Sequence, residues 1–138
     1  MFFKKKNNEK NNEYLVKVTA LLIHAAKIDE NYSTIEEKII KQTLIEIGVE
    51  NENVDELIKN AKKLEENNNQ ILEFTREVKN MDETKKIKIV ETLWRIIYSN
   101  NDADIFETNL MRRLEGLLYI DRKIMGNLKD KIKKENEK

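Results

Sequence analysis

Two stretches of the chain place oxygen-bearing side chains at the same four relative positions. In "DENYSTIE", residues 29–36, they are Asp29, Asn31, Ser33 and Glu36; in "NNDADIFE", residues 100–107, they are Asn100, Asp102, Asp104 and Glu107. Alternating oxygens in a short loop are what a hard divalent cation requires, since calcium takes roughly 6–8 oxygen ligands and magnesium a smaller octahedral set. Neither stretch is an EF-hand: the sixth positions are Thr34 and Ile105 rather than glycine, and the twelfth are Ile40 and Met111 rather than glutamate. Four side chains leave the remaining ligand positions to carbonyls and water, so a calcium or magnesium site of this kind binds weakly, with Kd on the order of 10⁻⁴–10⁻³ M. The same residues can also start helices. Ser33-Thr34-Ile35-Glu36 has the pattern of a capping box, and Asp104 to Glu107 is its counterpart with aspartate as the cap. In such a box the cap oxygen accepts from first-turn amides and the glutamate reaches back to the cap's own amide. Capping accounts for Ser33, Glu36, Asp104 and Glu107 and leaves Asp29, Asn31, Asn100 and Asp102 without a role. At this point both readings stand.

The elements that hold these loops follow from apolar spacing. Leu15, Val18, Leu22, Ala25 and Ala26 form one face of a helix over about 13–28, and Ile35, Ile39, Ile40, Leu44 and Ile47 a second over about 34–47, stopped by Gly48. Val54, Leu57, Ile58, Ala61 and Leu64 mark a third helix. Ile71, Leu72, Phe74, Thr75 and Val78 mark a short fourth. Asp82 caps a fifth, which is apolar over most of its circumference and is expected to lie at the centre. Phe106, Leu110, Met111, Leu114, Leu117 and Leu118 line a sixth helix, and Ile124, Met125, Leu128 and Ile132 a seventh. One constant shift along the chain, the one that carries Val18 onto Ile89, lays helices one to three on helices five to seven. Under it Leu22 falls on Leu93, Ile40 on Met111, Leu57 on Leu128, and the first acidic loop on the second. The expected fold is all-α, a single compact bundle of about seven helices built from two pseudo-symmetric three-helix repeats, 14–64 and 85–133, joined by a linker helix at 70–80. One repeat alone would leave an apolar face uncovered, so the two share a core. Residues 1–12 and 134–138 are expected as a disordered and a frayed tail flanking a domain at 13–133.

Composition removes several functions. With 26 basic and 26 acidic residues the formal net charge is zero, against a dedicated nucleic-acid binder, which carries a basic excess. No cysteine is present and only one histidine, which eliminates disulfides, thiolate metal sites, thiol chemistry and histidine-rich metal sites. There is no glycine-rich phosphate loop, no Ser-His-Asp set and no Glu-x-x-His pair for a di-metal bundle, so no enzyme is expected. No run approaches the ~20 apolar residues of a membrane span, and the two phenylalanines at the start fall short of a signal-peptide core of ~7–15 residues. The cytoplasm is the expected location. His24 reads as a core or boundary histidine rather than a ligand, and Trp94 as a core anchor, with a ligand-groove aromatic as the rival. Arg112 and Arg113 read as exposed charges paired with Glu115 or its neighbours, with anion binding as the rival, and Lys85, Lys86 and Lys88 as a solvated face.

The second half, "VETLWRIIYSNNDADIFETNLMRRLEGLLYIDRKI", resembles the tellurite-resistance TerB-like family through Leu93-Trp94-Arg95, Glu107, the run Leu110 to Arg113 and Gly116 to Tyr119. "LLIHAAKIDENYSTIEEKII" is similar to the family's first repeat, and "FTREVK" from Phe74 to its linker helix. The resemblance covers about residues 14–133. It implies an all-helical fold of some seven helices, a bacterial stress context, kinship with the N-terminal domain of a DnaJ-like co-chaperone, and acidic loop residues suggested to bind divalent cations. Carried over by position, these are Asp29, Glu36 and Glu107. Where the family has Asp-Gly, this chain has Asp29-Glu30 and Asn100-Asn101, so the second loop lacks the leading aspartate. The expected function is that of a non-enzymatic binding module engaging a protein partner, with a weak divalent cation in the loops. The alternative is an ion-independent adaptor.

Overall fold

A computed structural model of the chain describes the backbone of residues 2–28, 34–67, 71–100 and 105–136, and the side chains of these residues except 2–12, 100 and 105–107. The described residues form seven α-helices: α1 (Phe2–Lys27), α2 (Thr34–Glu46), α3 (Asn51–Asn67), α4 (Leu72–Lys79), α5 (Glu83–Ile97), α6 (Ile105–Leu117) and α7 (Arg122–Asn136), with a 3₁₀ turn at Tyr98–Asn100. The all-helical class read from periodicity is the one observed.

Helix ends follow local chemistry. At the start of α5, Asp82 sits in an extended conformation and its carboxylate accepts the Lys85 amide at 2.9 Å, which satisfies one of the unpaired first-turn donors. After α2, Gly48 takes φ +110°. The Gly48 amide donates to the Ile45 carbonyl at 3.1 Å and the Val49 amide to the Leu44 carbonyl at 2.9 Å, the paired bonds of a Schellman stop. The turn after α6 repeats the pattern at the shifted positions: Tyr119 donates to Gly116 at 3.3 Å and Ile120 to Glu115 at 3.2 Å, with Tyr119 at φ 54°. The bounds of α2 and α6, and the starts of α3 and α7, are separated by the same shift, as Thr34 from Ile105 and Asn51 from Arg122.

Two helices make the centre. In α5 every residue from Ile89 to Trp94 is buried. Six consecutive positions span more than a full turn, so α5 is covered on all sides. In α1 the same holds from Val18 to Ile23, a wider burial than the single stripe expected there; Ala20, Leu21 and Ile23 are core as well. The physical reason is position: α1 packs against α2, α3, α4 and α5, and α5 against α1, α2, α4 and α7.

Three expectations change. The first helix begins at Phe2 rather than near residue 13. No apolar stripe marks "KKKNNEKNNE", but lysine and glutamate are good helix formers, which periodicity does not register. At the other end, α7 stays helical through Asn136, where the Asn136 side-chain amide donates to the Tyr98 carbonyl and Glu135 pairs with Arg95 at 3.2 Å. Finally, Lys86 is not on a solvated face. It is buried, and its ammonium donates to the Leu118 carbonyl at 3.2 Å beyond the end of α6, with Glu83 at 3.6 Å. The ammonium there meets carbonyls left unpaired by the helix end.

Candidate functional site

The two acidic loops connect α1 to α2 and the 3₁₀ turn to α6. Asp29, Asn31, Ser33, Asp102 and Asp104 lie outside the described residues. Asn100 closes the 3₁₀ turn, and Glu107 falls on the third residue of α6 as Glu36 falls on the third of α2. Glu36 is the one predicted ligand whose side chain is described, and it is 1% exposed. Burying a carboxylate is costly unless it is bonded, and among the described residues no buried side-chain nitrogen or oxygen lacks a partner. An oxygen-only donor set of this kind suits calcium or magnesium rather than zinc or copper. Among the described residues alone, no three acidic or histidine side chains converge on one point, so any such cation would need oxygens from the loops themselves.

The surroundings of the first loop are held by ion pairs. In the last turn of α1, Lys27 reaches Glu65 of α3 at 2.6 Å, and His24 Nδ1 lies 3.5 Å from the same carboxylate. His24 is therefore a boundary histidine in an α1–α3 ion-pair cluster. Lys62 of α3 bonds Glu37 of α2 at 3.0 Å, beside Glu36 in sequence. Deeper in, the Thr43 and Thr92 hydroxyls meet at 2.7 Å and join α2 to α5. Glu36 lies two turns N-terminal to Thr43 on the same helix.

A second charged cluster joins α5 to α7. Glu91 is 8% exposed and accepts from Arg95 at 3.0 Å and Lys131 at 3.3 Å. Burial pushes its pKa up, but the hydrogen bonds and charges of Lys131 and Arg95 outweigh this and hold it below the ordinary glutamate value. Tyr14 on α1 has its phenol pushed up to about 12, by burial first and then by the charges of Asp82 and Glu77.

Trp94 fills the core as expected, 3% exposed, its indole N–H directed at Met125 Sδ at 3.3 Å and its ring stacked with Tyr98 at 6.0 Å. The same ring also forms the floor of a cleft of about 460 Å³ between α5, α6 and α7. Arg112 borders that cleft, and Glu115 pairs with Arg122 at 3.4 Å rather than with Arg112 or Arg113. Of the two readings the sequence left for Trp94, core anchor and groove aromatic, the structure supports both: the ring is buried and also lines the cleft.

The family model described as tellurite resistance protein TerB matches residues 15–130, from the apolar part of α1 into α7 and across both acidic loops. The chain belongs to the TerB family. No curated protein and no solved structure matches it. As a TerB chain it is a tellurite-resistance-type module, and no helix among its described residues is long and apolar enough to cross a membrane.

Proposed function

We propose that this TerB chain is a non-catalytic, stress-linked binding module of the cytoplasm, in which the acidic loops before α2 and before α6 hold a divalent cation weakly and tune a surface that meets a protein partner. The observation that carries the reading is Glu36: a carboxylate at 1% exposure in the first turn of α2, at the end of a loop with three further oxygen side chains, in a pattern that recurs in the second half of the chain. The ligands are Asp29, Asn31, Ser33 and Glu36 in the first loop and Asn100, Asp102, Asp104 and Glu107 in the second. The proposal includes the internal duplication: the two halves are repeats about a pseudo-twofold axis, supported by the common offset of helix bounds and of the two Schellman turns.

A cation that binds only the folded chain stabilises it by RT ln(1 + [L]/Kd). At a Kd near ~0.5 mM, about 10 mM calcium adds ~1.8 kcal/mol per site, several degrees in Tm for a chain of this length. Sodium chloride at matched ionic strength controls for screening. Asp29→Asn weakens the calcium effect and leaves the cap, whereas Ser33→Ala lowers stability with or without calcium. A second reading is favoured by the placement of Glu36 three residues after Ser33, as a capping box requires: an ion-independent adaptor with capped turns. If calcium and magnesium leave Tm where the salt control leaves it, the adaptor reading stands.

A further inference from the structure

The second half of the chain holds open a cleft whose counterpart in the first half is bridged. In the first half, Lys41 of α2 and Asp55 of α3 form an ion pair at 3.0 Å. The shift that carries Val18 onto Ile89 carries these two positions onto Arg112 of α6 and Gly126 of α7. The cation is kept and its carboxylate is gone. Gly126 stands inside α7, past its first turn, where glycine is destabilising relative to alanine, and a Cβ built on it meets nothing within 4 Å. The space that Asp55 bridges in one half is empty of side chain in the other.

What lines that space points to a ligand. The floor is apolar and buried: Trp94, Met111 and Met125, with the indole fixed by its bond to Met125 Sδ. The rim carries three cations, Arg112, Arg122 and Lys129, against one carboxylate, Glu115. Glu115 is taken by Arg122, and the Lys129 ammonium stands 5.5 Å over the Trp94 ring. Arg112 is exposed, and among the described residues no carboxylate pairs with it. At about 460 Å³ the cleft falls in the range of small-molecule sites, roughly 300–1,000 Å³.

We propose that this cleft binds a small amphipathic anion, with a flat apolar body laid on Trp94, Met111 and Met125 and a carboxylate or similar oxyanion at the Arg112 guanidinium, where Asp55 stands relative to Lys41. The planar fork of arginine suits a two-oxygen head group better than the lysine it replaces.

The chain has one tryptophan, so the side-chain N–H resonance of Trp94 is a single, site-specific reporter in ¹⁵N-labelled full-length protein. It is titrated with 1-naphthoate, with the neutral 1-naphthalenemethanol, and with acetate as a head group without a body. The expected result is a saturable shift with naphthoate, binding of the alcohol about tenfold weaker or worse, as a charged hydrogen bond is lost, and no shift with acetate. Arg112→Gln and Gly126→Asp each weaken naphthoate about tenfold, the second by placing a carboxylate beside Arg112. Gly126→Ala keeps the affinity within a factor of about three, since one methyl group removes no charged contact. Both positions are exposed, and thermal melts check that the variants stay folded. The proposal is overturned if naphthoate does not move the Trp94 resonance, if the neutral alcohol binds as tightly, or if Arg112→Gln and Gly126→Asp both bind naphthoate like the parent.

Discussion

The joint between α2 and α5 makes a prediction with an asymmetry built in. Thr43 and Thr92 are 2% and 0% exposed and their hydroxyl oxygens are 2.7 Å apart. A hydroxyl has one proton. Thr92 gives its proton to the Lys88 carbonyl one turn back, at 2.9 Å, so the proton between the two threonines belongs to Thr43. The two valine substitutions therefore differ. Thr43→Val removes a donor, and Thr92 keeps its own bond to Lys88; the cost is that of one net hydrogen bond, about 0.5–1.5 kcal/mol. Thr92→Val strands the Thr43 proton in a buried site, which costs about 1–3 kcal/mol. Part of this is recovered if the Thr43 hydroxyl turns to the carbonyl four residues back on its own helix. Replacing both threonines leaves an apolar pair of the same shape and no orphan, so the double variant is more stable than the sum of the singles by at least about 1 kcal/mol. Urea midpoints at constant slope measure all three, and Tm moves by about 3–5 °C per kcal/mol for a domain of this size. Additive losses, or a larger loss for Thr43→Val than for Thr92→Val, would refute the assignment of the proton and the claim that this bond joins the two helices.

Trp94→Ala removes a side chain that packs against Met125 and Tyr98 and should cost ~3–5 kcal/mol; unchanged thermal stability would show that the ring serves the cleft and not the core. Glu91 has a folded pKa below its ordinary value of 4.5, so the stability it contributes is present above the unfolded-state pKa and is lost as pH falls through the folded one. Glu91→Gln should therefore be less stable than the parent at neutral pH, with the gap closing below about pH 4.5; urea titrations from pH 7 to pH 3 measure it, and a gap independent of pH contradicts the pairing with Lys131 and Arg95.

Much of the architecture was legible in the sequence because the signals were local. Apolar periodicity located the helices, Asp82 and Gly48 located ends, and the long apolar run of α5 indicated its central place. The unread parts needed contacts between distant segments. "KKIK" at 85–88 looks like a solvated face, yet Lys86 is buried because its ammonium has a carbonyl 32 positions away to bond. The apolar stripe of α1 understated its burial because four other helices surround it. In the acidic loop, Glu36 could be read as cap or ligand; that its carboxylate is buried depends on the helices packed over α2, which no spacing rule encodes. The cleft was half legible: Trp94 left a groove open as the rival to a core role, but which helices meet around its ring is set by the packing of α5, α6 and α7.

The two Schellman turns close one backbone shape on two different residues. After α2 the left-handed residue is glycine, which adopts that geometry freely. After α6 it is Tyr119, for which a left-handed backbone costs roughly 1–2 kcal/mol. The same pair of hydrogen bonds closes both turns, so the conformation does not require the residue that suits it best. Tyr119 leaves most of its ring exposed and sets it under the Lys79 ammonium, 4.1 Å from the ring centroid, at the last residue of α4. A local penalty is thereby exchanged for a tether between the linker helix and the α6–α7 turn, a link for which Gly48 has no side chain. The residue at this turn changes what the corner touches without changing its shape, and Tyr119→Gly would restore ease to the backbone while removing the surface contact that α4 makes to this turn beyond its buried packing on α5 and α6.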